Sequence, residues 1–450
     1  MPLENARPMS EESWTAVWHG VTRYQWMVLA LASAGWVFDV FEGQIFGSCM
    51  NEALPTLLRG TAWETKQETI VNFGIGSFLA GGALGGVGFG MLADRWGRRP
   101  TMAVTILLYS VFTGLTALAQ SWEQLVALRF LVGLGVGGEW AVAAAVVAEV
   151  FPARARPTAS GIFHASSVLG TLLAVAAGTY VVAADRETGW RWGFLLGVVP
   201  ALLVFWVRAG MREPESWQKA RSLAGTDSAR ELGWVGDLFS DPRLRKHTLL
   251  ATGLAAIGLA TFWGAHFRGK DVLRRAYIKQ EQLWTPAAVR DNPGVKQHEM
   301  LGMLLVTLGG GAGLLSFAPI SQRLGRRPAF VLFHAGGFAL TGVVFLLSDL
   351  VRVLPFVLPV FGFFTLGMHA GYAVYFPELF PTRLRGTGAG FCFNVARVVV
   401  LPVLLLFGWL MDGPLALNLV SAMWVLAGLF VVGVVLVGYC PETRGQPLPE

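Results

Sequence analysis

Five ionisable side chains sit inside long apolar stretches of this chain, and their types and spacing suit proton and anion chemistry: Asp39 and Glu42, Arg129 and Glu139, and Arg397. A charge at the centre of a bilayer costs on the order of 3 kcal/mol on insertion scales, so each must face protein or water. Asp39 and Glu42, at i and i+3, share one face of a helix. Two carboxylates that close do not readily ionise together, so one of them can take up and release a proton. Arg129 starts near the outer end of its stretch, level with Glu42, and the two can pair. Glu139 lies deeper with no partner evident in the sequence, and a satisfied buried pair and a transport role are both open to it. A helix starting near Gly386 would put Arg397 about 16 Å in, at ~1.5 Å per residue, close to a membrane midplane. There its guanidinium offers a bidentate fork to a carboxylate, with pairing to an internal acid as the alternative. Asn394 and His164 join Arg397 and Glu139 as candidate substrate contacts, although His164, like His369, reads first as a helix-packing group.

The elements that carry these residues are membrane helices. Of 450 residues, 54% are hydrophobic and 14% charged, which inverts the balance of an ordinary soluble domain. Apolar runs long enough to cross about 30 Å of hydrocarbon fall at 24–47, 70–93, 101–120, 125–150, 158–183 and 190–209, and again at 248–267, 299–322, 328–349, 353–380, 386–411 and 415–439. The expected fold is therefore an all-α membrane protein of twelve transmembrane helices in two six-helix bundles. The expected bounds are an N-terminal segment 1–23, a first bundle 24–211, a central loop 212–247, a second bundle 248–440 and a tail 441–450. Glu4, Glu11 and Glu12 precede the first run, which lacks the basic start of a signal peptide and should remain as a span.

Basic residues between the runs indicate sidedness. Arg95, Arg98, Arg99, Arg154, Arg156, Arg323, Arg326, Arg327, Arg383 and Arg385 all fall on the side of the termini, which reads as cytoplasmic, with the protein in a cell inner membrane. The loop from Arg268 to His298 breaks the bias with Lys270, Arg274, Arg275, Lys279, Arg290 and Lys296. The net charge of +6 is spread through short clusters, so it reads as topological and gives no reason to expect nucleic acid. Cys49, Cys392 and Cys440 are too few and scattered for a disulfide framework or metal site. No cofactor is called for, no catalytic constellation argues for an enzyme, and a monomer is expected.

The chain also repeats itself. Gly97-Arg98-Arg99-Pro100 returns 228 residues later as Gly325-Arg326-Arg327-Pro328, and Glu149-Val-Phe-Pro-Ala-Arg-Ala-Arg156 returns 229 later as Glu378-Leu-Phe-Pro-Thr-Arg-Leu-Arg385. Pro214-Glu215 is answered 227 later by Pro441-Glu442. Near-constant spacing in the same order describes a duplicated six-helix unit, with substrate expected between the halves. Asp94, Arg95, Arg98, Arg99, Glu149 and Arg156, with Arg326, Arg327, Glu378 and Arg385, can form an ion-pair gate at one membrane face. Gln322 stands where the first copy has Asp94, so the second gate should be weaker.

Gly90 to Pro100, GMLADRWGRRP, resembles the loop between spans two and three of the major facilitator superfamily. The Glu-x-x-Pro-x-x-x-Arg pattern at Glu149 and Glu378, and Pro441-Glu442-Thr443-Arg444-Gly445, are similar to the sugar porter branch and its organic-acid relatives. Arg129 with Gly133, Gly135, Gly137 and Gly138 is similar to the fourth-span motif, and Asn394-Val-Ala-Arg397 with Pro402 resembles the eleventh span of aromatic-acid and sialate-type proton symporters. The resemblance implies a two-bundle carrier that alternates between outward-open and inward-open states. On this reading the cargo is a small organic anion moved with protons, Arg397 holds its carboxylate, and Asp39, Glu42 and Arg129 handle the proton. A sugar or polyol carrier is the alternative, although 158–183 and 248–267 contain no Gln or Asn to grip hydroxyls. A transporter-like sensor is the alternative of another class.

Overall fold

The computed structural model describes residues 17–64, 67–185, 187–224, 232–285, 288, 292–412 and 414–449; Glu4, Glu11, Glu12 and Arg290, named above, lie outside them. In chain order the described helices are α1 (Arg23–Leu57), α2 (Gln67–Trp96), α3 (Arg98–Thr116), α4 (Trp122–Val150), α5 (Arg156–Ala165), α6 (Ser167–Tyr180), α7 (Gly189–Leu196), α8 (Leu203–Gly210) and α9 (Glu215–Ala224). They continue with α10 (Asp237–Ser240), α11 (Pro242–Thr261), α12 (Gly269–Gln280), α13 (Pro293–Leu324), α14 (Arg326–Leu346), α15 (Leu354–Leu379), α16 (Arg385–Asp412) and α17 (Leu419–Tyr439). Ten stretches among the described residues are long and apolar enough to cross a bilayer. The long helices α3 and α16 fall outside that set. α3 turns Arg98, Thr101, Thr105, Ser110 and Thr113 inward, and α16 carries Arg385, Asn394 and Arg397.

Element starts follow local chemistry. Thr22 and Gln25 form a reciprocal capping box at α1, and the Asp241 carboxylate accepts from the Arg243 and Leu244 N–H groups ahead of Pro242 at α11. α3 and α14 begin immediately after Gly97 and Gly325, whose φ angles of +115° and +107° favour a residue without Cβ. The loop expected from 268 to 298 is partly helical: α12 continues α11 through a π-helical segment, Phe262–His266. Such segments open the i→i−4 ladder and re-aim side chains.

Helix packing repeats along the chain. α2 packs against α4 as α13 packs against α15, α1 against α6 as α11 against α16, and, across the two halves of the chain, α2 against α16 as α13 against α5. Glycines permit the tightest crossings. A Cβ built at Gly85 would lie 1.9 Å from the Leu134 carbonyl oxygen, and one at Gly81 2.1 Å from that of Phe130. Gly313 and Gly309, each 228 residues on, approach Phe363 and Pro359 oxygens at 2.1 Å and 1.9 Å. Gly85→Ala must therefore push α2 and α4 apart, and we expect it to cost about 1–3 kcal/mol. A lower melting temperature in detergent measures this, with Gly88→Ala as the control, since a Cβ there meets nothing within 4 Å.

Candidate functional site

At mid-height, α1, α4 and α16 bring the ionisable residues together. Arg129 and Glu42 form a buried ion pair, with the guanidinium held between the Phe46 and Phe78 rings at 4.6 and 4.7 Å. The two carboxylates expected to share a proton are thus differently committed: Glu42 is bound to Arg129, whereas neither Asp39 oxygen hydrogen-bonds to a described protein group. Asp39 instead interacts through space with Glu139, Arg397 and, more weakly, Glu42. Glu139 accepts from Thr105 Oγ1 at 3.3 Å, and its Oε1 lies 2.3 Å from where a Cβ on Gly35 would be, one helical turn before Asp39. Arg397 is half-buried and reaches from α16 toward α2, its Nη1 2.6 Å from a Cβ built on Gly82. That nitrogen has no hydrogen-bond partner among the described residues. Buried polar atoms without partners are rare, and they concentrate where a ligand, water or proton completes the site.

Aromatic rings floor this cluster. Trp140 stacks on Phe393 with centroids 4.1 Å apart, and the Arg397 guanidinium lies 5.3 Å from the same Phe393 ring. Trp140 Nε1 donates to His164 Nδ1 at 3.3 Å and Trp36 Nε1 to the His164 carbonyl at 3.1 Å. Three carboxylates, Asp39, Glu42 and Glu139, thus face two guanidiniums, Arg129 and Arg397, beside a flat apolar surface shared by both halves of the chain.

Nearer the end of the molecule that carries the C-terminal tail, a second network joins the halves. Arg98 Nη1 donates to Asp94 at 2.7 Å and Nη2 to Glu149 at 2.8 Å, while Arg385 Nη1 donates to the same Glu149 oxygen at 2.9 Å. Asp94 also accepts from the Gly386 N–H, the Thr387 N–H and Thr387 Oγ1, at 3.2, 2.8 and 2.7 Å. The second copy is thinner. Arg326 donates to Glu378 at 2.8 and 3.1 Å, but Gln322 reaches across only to the Arg154 carbonyl and Thr158 Oγ1, at 3.1 and 3.3 Å. Thr158 is the counterpart of Thr387, so the two arms match in position and differ in charge.

Residues 44–401 match the family model described as Major Facilitator Superfamily. The chain belongs to the major facilitator superfamily. It is 30% identical over 92% of its length to a probable 4-methylmuconolactone transporter of Cupriavidus pinatubonensis, of which 89% is covered. It is 27% identical over 85% of its length to the sialic acid transporter NanX of Escherichia coli, of which 86% is covered. Its fold is similar to that of the proton:xylose symporter XylE bound to 6-bromo-6-deoxy-D-glucose, with a TM-score of 0.74, 17% identity and 94% and 98% of the two chains covered. It is a multi-pass membrane transporter, not an enzyme.

Within this superfamily transporter several sequence expectations need adjusting. The Asn394 amide donates to the Gly137 carbonyl across the helix crossing at 3.2 Å and to Gly390 of its own helix at 3.0 Å and packs on Gly86, so its donors are committed to backbone, while its buried Oδ1 has no partner among the described residues. His164 is fixed between two tryptophans. Arg95 donates to the Leu232 carbonyl at 2.9 Å and Arg327 to those of Val437 and Gly438, so both lie outside the inter-half network. Arg99 offers its backbone N–H to Glu213, and Arg156 interacts with Glu378 only through space among the described contacts.

Glu213 was not singled out in the sequence. Its carboxylate accepts from the Arg98 and Arg99 N–H groups at 2.8 and 2.9 Å, as Glu442 accepts from those of Arg326 and Arg327 at 2.8 and 3.1 Å. The true repeat therefore pairs Glu213, not Glu215, with Glu442, at the same offset of 229 as the Glu149 anchor. Burial works against the Glu442 charge, yet the N–H groups of Arg326, Arg327 and Arg444 hold its carboxyl below the ordinary value. This clasp is fully present above the unfolded carboxylate pKa and is lost as pH falls through the lowered one.

Proposed function

We propose that this transporter carries a small organic monoanion, a monocarboxylate, aromatic acid or acidic sugar, in symport with a proton by alternating access. Supporting this is the observation that Arg397, at mid-height between the halves, keeps a buried guanidinium nitrogen unbonded opposite an Asp39 carboxylate with both oxygens unbonded. The sialic acid named as cargo of one relative is of the same class. With cargo absent, Asp39 is the countercharge of Arg397 and Glu42 that of Arg129, which leaves Glu139 to carry a proton. An arriving carboxylate takes the Arg397 fork, Asp39 loses its countercharge, and a proton neutralises it. Binding of the anion and uptake of the proton are then one electrostatic event.

In this reading α3 and α16 complete twelve spans, arranged as bundles 24–211 and 248–440 about the linker 212–247, with termini in the cytoplasm of a bacterial cell and the monomer as working unit. The Asp94–Arg98–Glu149–Arg385 network shuts the cytoplasmic end while the outer end admits cargo. One proton moving with one monoanion transfers no net charge. In proteoliposomes, benzoate uptake should follow an imposed pH gradient and change less than about two-fold when the potential is clamped at different values, since a net charge would feel about 2.3 kcal/mol per 100 mV. Asp39→Asn should uncouple the two, retaining benzoate exchange while losing accumulation against the gradient; undiminished accumulation would remove Asp39 from the proposal.

A further inference from the structure

The basic segment after α11 breaks the charge bias of the other loops, and the proposed carrier gives it no role. Arg268 precedes α12 directly, and Arg268, Asp271, Arg275 and Lys279 recur at helical spacing along one face of it. The flank beside it, with Val272, Leu273 and Ala276, is buried in the outer core of the second half. Exposure falls along the stripe: Lys279 and Arg275 are exposed, whereas Arg268 is half-buried. Lys279 is paired with Asp349 at 2.5 Å, and Arg275 interacts with Asp271, Arg274 and Arg268. Arg268 has no ion pair among the described residues, and its buried Nε has no hydrogen-bond partner. Its guanidinium lies 5.2 Å from the Phe407 ring. Phe407 belongs to α16, the helix of Arg397, ten residues further out, or about 15 Å along the axis.

We infer that Arg268 is an outer docking station for the anion, where a carboxylate pairs with the guanidinium held over Phe407 before moving inward to Arg397. The inference rests on the reading of the cargo as an organic anion. Cations at the mouth of a low-dielectric cleft concentrate anions and raise their capture rate, and salt weakens that effect. Docking of this kind sets capture, while Arg397 sets equilibrium affinity.

The test is initial benzoate uptake in proteoliposomes at low and high ionic strength, for wild type, Arg268→Gln and Arg268→Lys, with benzoate affinity measured in parallel by calorimetry. Expected for Arg268→Gln are a KM raised about three- to ten-fold, a flattened salt dependence and an affinity within about two-fold of wild type. Arg268→Lys should restore the salt dependence. Wild-type KM and salt slope in Arg268→Gln would overturn the inference, as would a lost maximal rate that Lys does not restore, which marks a structural role. Absence of benzoate binding by the wild type would instead sink the anion reading itself.

Discussion

Arg397→Gln should reduce benzoate uptake in proteoliposomes by roughly 30- to 4,000-fold. Truncating one partner of a desolvated, hydrogen-bonded charge pair typically costs about 2–5 kcal/mol, and each 1.4 kcal/mol is tenfold in affinity. The glutamine keeps a polar head near Gly82 but has neither the charge nor the fork. Asp39 would then face no nearby cation, so this variant should also bind its proton independently of cargo. Arg397→Lys separates the two contributions, because a point charge without a planar fork should recover only part of the activity. Retention of full anion transport by Arg397→Gln would end the proposed mechanism, whereas retained sugar transport with lost anion transport would redirect only the cargo.

Glu149→Gln should have a comparable effect on conformation. One Glu149 oxygen accepts from both Arg98 and Arg385, and all three side chains are fully buried. Neutralising it leaves two buried guanidiniums with Asp94 as their near acid, and breaking such a pair costs on the order of 3–5 kcal/mol. The penalty falls on the state in which this end is shut, so the population should move to the state in which it is open. In a background with Cys49, Cys392 and Cys440 replaced, a Thr158→Cys probe at the seam should react with a water-soluble maleimide at least about ten-fold faster in Glu149→Gln. Combining Glu149→Gln with Arg385→Gln removes one stranded cation and should recover much of the original protection. If labelling stays slow in both variants, the network is not what holds this end closed.

Much of this arrangement is legible in the chain because duplication leaves the same chemistry twice at constant spacing. The Gly97 and Gly325 turns, the Glu149 and Glu378 anchors and the Arg129–Glu42 pair all follow from residue type and distance along the chain. Partner choice is harder to read. Asp39 and Glu42 share a helix face, but periodicity says nothing of which other helix supplies a cation to Asp39, and only packing of α16 against α2 and α4 brings Arg397 within its reach. Glu213 was missed because a Pro-Glu dipeptide matched two residues too late, while the carboxylate that caps α3 precedes its proline. Asn394 was only half legible, because a polar residue in a span can serve a neighbouring backbone as readily as a ligand: its donors go to backbone and its oxygen stays open. The basic stretch beyond Phe267 hid a helix because its charges mask the apolar face formed by Val272, Leu273 and Ala276.

The unequal arms at Asp94 and Gln322 bear on how the molecule comes apart. An anion clamped by two backbone amides and a hydroxyl is a stiff pivot, while an amide resting on one carbonyl and one threonine yields with little resistance. The seam should therefore unzip from the Gln322 edge and swing about the Asp94 edge, so that entry on that side is a door with one hinge rather than a pair of parting leaves. Gln322→Asp would place a charge on the loose edge, and the swing should slow.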